Sequence, residues 1–409
     1  MYAAEVQNNF QVPAALNSQF VWGAQYRRDV VSSDRQWLLD RLTSEDLEIS
    51  QFGVYAQTET PLLPQLNLVL AARYDDHEKY DAQISPKAAL VFKPALDQAF
   101  RLSYNRAFKS PTTLQTSFHI PDWTPIISIF GNSEGFTVQG GPGGTVTYAP
   151  LKPEENVTWE LGYRGVLGGR MFVDVAGYHS RYQDFLSPLA IISDPFGLGL
   201  AGNPAGVKSF AYDSRGNRVV NEQGVAPLML TYYNLGEATI YGTDAGVNYY
   251  LTPRVSMRGT FSWLKAGDIK VPAGREEATS LNSPNTKWTL GTNLTDFGAL
   301  RGGATVRHVS GYYFRSGINR GVIPSFTTLA LNAGYQLPRL NSTLSLGVAN
   351  VLGCSQDDSD PFEYAPTDPL RTTPTNRSRK CGFAVRHQEM INMPTIGTMV
   401  FLGIRYHVQ

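Results

Sequence analysis

Between residues 64 and 118 the chain alternates apolar and polar side chains with a period of two. Leu66, Leu68, Leu70, Ala72 and Tyr74 share one face, and Asn67, Val69, Ala71, Arg73 and Asp75 share the other. Phe100, Leu102 and Tyr104 alternate in the same way with Arg101, Ser103 and Asn105. Alternate side chains of a strand point to opposite sides of the sheet, so the pattern predicts strands with one apolar and one polar face. The runs are about ten residues or longer, whereas strands of soluble proteins average about five or six. Long alternating strands, with short turns at one end and long loops at the other, predict an all-β fold: an antiparallel transmembrane β-barrel.

Carried along the chain, the pattern predicts about 15 strands, at residues 5–12, 18–28, 49–60, 66–75, 85–94, 99–112, 151–165, 170–185, 228–251, 254–265, 286–295, 301–314, 327–337, 342–351 and 397–409. Residues 228–251 read as one very long strand. Residues 107–152 read as a long irregular loop whose Gly140–Gly144 run is flexible, and 186–227 as a second long loop. Odd-numbered links are short and most even-numbered ones are longer. Short turns belong to the periplasmic end and long loops to the outside, so the first and last strands both run inward. A bacterial single-chain barrel has an even number of strands. Fifteen is odd, so further strands are expected ahead of the first. Residues 1–16 lack the basic and apolar segments of a signal peptide, which fits the same expectation.

Composition supports a membrane strand protein. Charged residues make up 17%, below the roughly 25% of soluble domains. Tyr (21) and Phe (20) dominate the aromatic residues, and no run approaches the roughly 18 apolar residues of a membrane helix. A formal charge of zero argues against nucleic acid as a partner.

Candidate chemistry is sparse. No nucleophile elbow, zinc-protease motif or metal-ligand histidine spacing occurs, so no catalytic group, metal or cofactor is assigned. Arg73, Asp75, Arg101, Glu160, Arg164 and Asp174 fall on polar strand faces and are expected to line the lumen. Cys354 and Cys381 share the last outer loop, where an oxidising compartment favours a disulfide. The outer loops carry Trp123, Phe130, Tyr312, Tyr313, Arg315, Phe362, Tyr364 and Arg371 as candidate ligand contacts. Aromatic and arginine side chains dominate binding hot spots.

Several motifs carry a family resemblance. Arg73-Tyr74-Asp75, Ser85-Pro86-Lys87, Phe92-Lys93-Pro94 and Arg106-Ala107-Phe108-Lys109-Ser110-Pro111-Thr112 follow one another in order. Pro153-Glu154 with Glu160 and Gly162, Asn234 with Gly236, Gly242-Thr243-Asp244 and Asn350-Val351-Leu352 continue the series. The chain resembles the β-barrel of TonB-dependent outer-membrane receptors. It departs from the usual pattern at Lys109 (Arg in the family), Asp244 (Glu) and Gly353 (acidic). The resemblance implies that residues 1–409 are the last fifteen strands of a barrel of about twenty-two. The plug domain and first strands would lie outside this sequence, and the inward charges would face that plug. It further implies a monomer in the outer membrane of a Gram-negative bacterium, surrounded by outer-membrane lipid and not an enzyme. The implied function is active uptake of a large scarce nutrient: a ferric siderophore, cobalamin or an oligosaccharide. Energy would come from the TonB complex through the missing N-terminal region. A passive porin-like channel would not be expected to show the ordered motifs. A barrel adhesin or enzyme would need a binding module or catalytic constellation, and neither is visible.

Overall fold

The structure is a computed structural model that describes residues 1–34, 36–38, 46–270, 281–316, 319–355, 380–383, 386–387, 389, 391 and 394–406. The chain opens with six long strands: β1 (Tyr2–Val12), β2 (Ser18–Val31), β3 (Leu47–Leu63), β4 (Leu66–His77), β5 (Tyr80–Ala95) and β6 (Gln98–Lys109). A short helix α1 (Thr113–Ser117) and four short strands follow: β7 (His119–Thr124), β8 (Ile127–Phe130), β9 (Phe136–Gly140) and β10 (Thr145–Tyr148). Long strands β11 (Glu154–Leu167) and β12 (Met171–Gln183) precede short β13 (Ala190–Ser193), β14 (Ser209–Asp213) and β15 (Leu228–Thr231). Then come β16 (Glu237–Thr252), β17 (Val255–Lys270), β18 (Thr286–Phe297) and β19 (Leu300–Val309), and the hairpin β20 (Tyr312–Ser316) with β21 (Asn319–Ile323). The chain ends with β22 (Phe326–Leu337), β23 (Ser342–Ser355), β24 (Lys380–Phe383) and β25 (Met399–Tyr406).

The long strands form one antiparallel sheet of sixteen, in the order β1 to β6, β11, β12, β16 to β19, β22 and β23. β24 and β25 both pair with β23, at residues 352–355 and 342–349 respectively, so they share one position. The sheet is therefore fifteen strands wide, as the alternation predicts. Every link at one end is a short turn, while the long segments 110–153 and 184–236 leave from the other end. Among the described residues β1 and β25 pair on one side only.

Register sorts the side chains into two faces. One row runs Thr58, Leu70, Ala88, Tyr104, Trp159, His179 and Tyr241 across seven strands. This face exposes Phe52, Val54, Leu102, Leu161, Phe261, Leu290, Leu331 and Leu402 as well, a broad apolar surface that water would not favour. The opposite face is polar and holds large side chains flat. Tyr55 lies across Gly23, where a Cβ would collide with the ring, and its hydroxyl hydrogen-bonds with Glu5 at 2.9 Å and Gln7 at 2.8 Å. Tyr178 crowds Gly242 in the same way.

The structure corrects three expectations. Residues 228–251 are not one strand. Leu228–Thr231 belongs to another sheet, and the wall resumes at Glu237 after Gly236, whose φ of +110° suits glycine. Residues 301–314 are likewise divided, because β19 ends at Val309 and Tyr312 begins a separate hairpin. The 107–152 segment is ordered, and Gly140–Gly144 is the turn between antiparallel β9 and β10.

Candidate functional site: an outer domain and a latched strap

The two long outer segments fold together over the polar face. Strands β7, β8, β15 and β13 make a four-stranded sheet in which β8 and β15 run parallel. Strands β10, β9 and β14 make a second sheet of three. The two sheets share a core of Phe130, Phe136, Val138, Tyr148, Ile192, Ala211, Met229 and Leu235. The other face of the larger sheet buries Ile127, Ile129, Leu228 and Leu230 against Phe118, Leu189 and Leu200. Burial on both faces explains why every residue of Ile127–Phe130 and Leu228–Leu230 is buried, Ser128 included, where a strand with one wet face would alternate.

Polar side chains hold this domain together and tie it to the wall. Asn132 donates to Ala149 O and Tyr232 O, both at 2.9 Å, and accepts from Gly135 N at 2.9 Å. Asp194 is fully buried yet accepts from Gly197 N and Leu200 N, each at 2.9 Å. Glu154, on β11, accepts from Leu186 N at 3.0 Å. Asn234 donates to Lys152 O at 3.0 Å and Asp184 O at 2.6 Å, joining the outer ends of β11 and β12. Burial pushes the Tyr232 hydroxyl above its ordinary pKa. Helix α1 starts with a capping box in which Thr112 accepts from Gln115 N. A cavity of ≈ 430 Å³ lies between this helix and the wall, lined by Arg27, Asp29, Gln51, His77, Thr116 and Glu134 among others.

A second unit sits at the outer ends of β19 and β22. Glu389 accepts from Arg307 at 2.9 Å, and the same carboxylate oxygen lies 3.1 Å from His387 Nε2. The His387 ring stacks on Phe326 with centroids 4.2 Å apart. The Tyr312 hydroxyl donates to Glu389 O at 2.6 Å, and Ile391 packs against Phe314 and Ile323. His387, Glu389 and Ile391 are thus strapped to the polar face of the wall. Burial alone would raise the Glu389 carboxyl, but hydrogen bonds from Arg307 and His387, with their charge, outweigh it and hold the group below the ordinary range. Burial also raises the Tyr312 hydroxyl, with Glu389 adding to the shift.

A carboxyl depressed in the folded state stabilises it above the unfolded pKa and loses that contribution as pH falls through the folded value. Proteolysis beside His387 and Glu389 should therefore accelerate as pH drops below about 4.3, the unperturbed Glu value. Glu389→Gln should flatten that dependence, as read by peptide mapping of timed digests.

The inward charges meet one another. Arg73 bonds Asp75 at 2.8 Å and Arg164 pairs with Asp174 at 2.6 Å, while Arg101 pairs with Glu160. All six expected lumen residues thus form three ion pairs within the wall.

The expected ligand contacts fall on different units. Trp123 is 45% exposed on β7 of the outer domain. Tyr312 and Tyr313 are half-buried on the β20–β21 hairpin. Phe130 is a correction: at 3% exposure it fills the domain core and has almost no surface to offer a ligand. Phe362, Tyr364 and Arg371, and the side chain of Arg315, lie outside the described residues. The cysteine side chains also lie outside them, but register places Cys354 directly opposite Cys381 on β23 and β24.

Directly opposed residues of an antiparallel pair have Cα atoms about 4.5–5.5 Å apart, inside the range a disulfide spans. Peptide mapping without reductant should recover the two as one linked pair. Opening the bond should cost about 3–4 kcal/mol on the chain-entropy account. Two free thiols would contradict the pairing.

Among the described residues no group of three or more His, Cys, Asp or Glu could hold a metal ion. The arrangement is suited to binding: an ordered cover, a polar cavity and a latched strap at one end of a membrane sheet.

Comparisons with known proteins agree with this architecture. No curated protein matches the chain. The siderophore receptor PirA from Acinetobacter baumannii aligns over 99% of this chain and 54% of its own, with 14% identity and a TM-score of 0.60. A mutant ferric enterobactin receptor (PfeA) from Pseudomonas aeruginosa, in complex with enterobactin, aligns over 98% and 53%, with 14% identity and a TM-score of 0.61. The FrpB iron transporter from Neisseria meningitidis aligns over 99% and 55%, with 14% identity and a TM-score of 0.57. The chain thus spans about half the length of these solved structures. The family described as TonB dependent receptor-like, beta-barrel matches residues 1–351. The chain belongs to the TonB-dependent receptor β-barrel family.

Proposed function

We propose that residues 1–409 are one barrel domain of an outer-membrane receptor that takes up a ferric siderophore or similar iron chelate with energy from the TonB complex. The observation that carries this reading is the ordered outer domain, seated on the polar face of a sheet whose other face is apolar. A passive pore needs no folded cover over its mouth, whereas a receptor must bind its ligand there before moving it. The likeness to siderophore receptors and an iron transporter supports iron chelates over cobalamin and oligosaccharides as cargo. Ligand contacts fall to Trp123 and to Tyr312 and Tyr313, on two units that border the same mouth.

The test is growth. A strain lacking the receptor, complemented with the gene that encodes this chain, is supplied with a panel of iron chelates, cobalamin and oligosaccharides. Growth restored by one or more ferric chelates supports the reading. Rescue by a sugar or cobalamin alone replaces the cargo, and no rescue by any compound removes the uptake role.

A further inference from the structure

Three polar side chains stand side by side at the outer end of the polar face. Arg27 is opposite Gln51, and Gln51 is opposite His77, on β2, β3 and β4. All three line the cavity of ≈ 430 Å³ between helix α1 and the wall. Its other side carries Thr113 on the helix, with Ser133 and Glu134 on the link between β8 and β9. That side is firmly seated. Gly131 N donates to Phe118 O at 2.7 Å and Asn132 N to Gln115 O at 2.8 Å. A Cβ at Gly131 would collide with the backbone of Thr116 and Ser117. The volume falls in the range of small-molecule sites, about 300–1,000 Å³.

The two sides offer different chemistry. On the wall, Asp29 lies 2.7 Å from Arg27 Nε and so orients the guanidinium by its inner edge. The terminal nitrogens of the fork make no hydrogen bond among the described residues. His77 Nδ1 accepts from Lys79 N at 3.1 Å, which places the ring proton on Nε2. With the Gln51 amide, three neighbouring side chains thus present N–H donors. On the helix side Glu134 presents a carboxylate, and Thr113 and Ser133 present hydroxyls. The side chains of Gln51, Thr113, Ser133 and Glu134 make no hydrogen bond or ion pair among the described residues.

We propose that this cavity binds a small zwitterion, an amino acid or a short peptide. Its carboxylate accepts from the Arg27 fork, Gln51 and His77, and its ammonium group donates three hydrogens to Glu134, Thr113 and Ser133. Leu47, Ile49 and Leu151, which also line the cavity, suit an aliphatic side chain. The unmet groups on the two sides select the class. A compact anion would meet the Glu134 carboxylate. A simple amine would leave the donor row of Arg27, Gln51 and His77 without an acceptor. A neutral sugar would leave the guanidinium fork and the carboxylate facing uncharged groups, where charge-assisted hydrogen bonds are about twice as strong as neutral ones.

The inference goes beyond the uptake reading, and Trp123, Tyr312 and Tyr313 are not among the described residues that line this cavity. Isothermal titration calorimetry on the protein of the whole gene, purified in detergent, measures binding without transport. Failure here leaves the uptake reading untouched, and failure of uptake leaves this result standing. Heat-modifiable migration and the protease resistance of segment 110–153 are read first, to show that the barrel is folded and α1 seated in every variant. The probes are leucine and glycyl-leucine, which differ in the spacing of their charges, and at least one should bind saturably. Acetylating the amine of the bound probe, or converting its carboxylate to the amide, should weaken binding roughly tenfold to a hundredfold. Glu134→Gln should remove the preference for the free amine over the acetylated form. Arg27→Gln should remove the preference for the carboxylate over the amide. The site is overturned if neither probe binds the folded protein, or if either blocked form binds as well as the free one. It is equally overturned if both preferences survive the two substitutions, or if glucose binds in place of the probes.

Discussion

Arginine in place of Leu70 or Leu331 destabilises the inserted protein by about 2–4 kcal/mol, and arginine in place of Asn332 by much less. Leu70 is 43% exposed and lies in the row that joins Thr58, Ala88, Tyr104 and Trp159, far from either end of β4. Leu331 sits opposite Ala304 on one side and Val348 on the other, on the same apolar face. Asn332 is its neighbour on the polar face, opposite Gly303 and Gly347. One step along β22 therefore moves the new charge from hydrocarbon to a polar interior. Denaturant titration of protein from the whole gene, folded into bilayers, reads the difference. Equal costs at Leu331 and Asn332 would refute the assignment of faces.

Phe136→Ala should cost the outer domain about 3–5 kcal/mol while leaving the wall standing. Phe136 is 2% exposed and belongs to the core where the two small sheets meet. A cavity there would loosen both sheets, because β9 lies between β10 and β14. The expected result is a barrel that still migrates in its heat-modifiable form but whose segments 110–153 and 184–236 become open to protease. Ligand binding should fall with them. Unchanged protease resistance would mean that the domain does not depend on this core.

The wall was legible in the sequence because a membrane strand writes its two faces at alternate residues. The count of fifteen and the placing of Arg73, Arg101 and Arg164 on polar faces follow from that period alone. Their partners were not legible, since pairing depends on register. Arg164 stands directly opposite Asp174, but Arg101 stands opposite Gly162 and reaches Glu160 diagonally. The outer domain was missed for another reason. Ile127–Phe130 and Leu228–Thr231 are buried on both faces and show no period of two, so one was read as loop and the other as an extension of the wall. Phe130 goes with them, because an aromatic in a long loop looks available until the loop has a core. The Glu389 strap joins Arg307 to a residue more than eighty positions on, through a contact no local pattern records.

Energised uptake tests the central claim most directly. Cells carrying the whole gene are given a radiolabelled ferric chelate that supports growth, with and without a functional TonB complex, and label inside the cell is counted. The account predicts accumulation that requires both the gene and TonB, with binding at the surface retained when TonB is removed. Accumulation that proceeds equally without TonB would contradict it and leave a passive channel in its place.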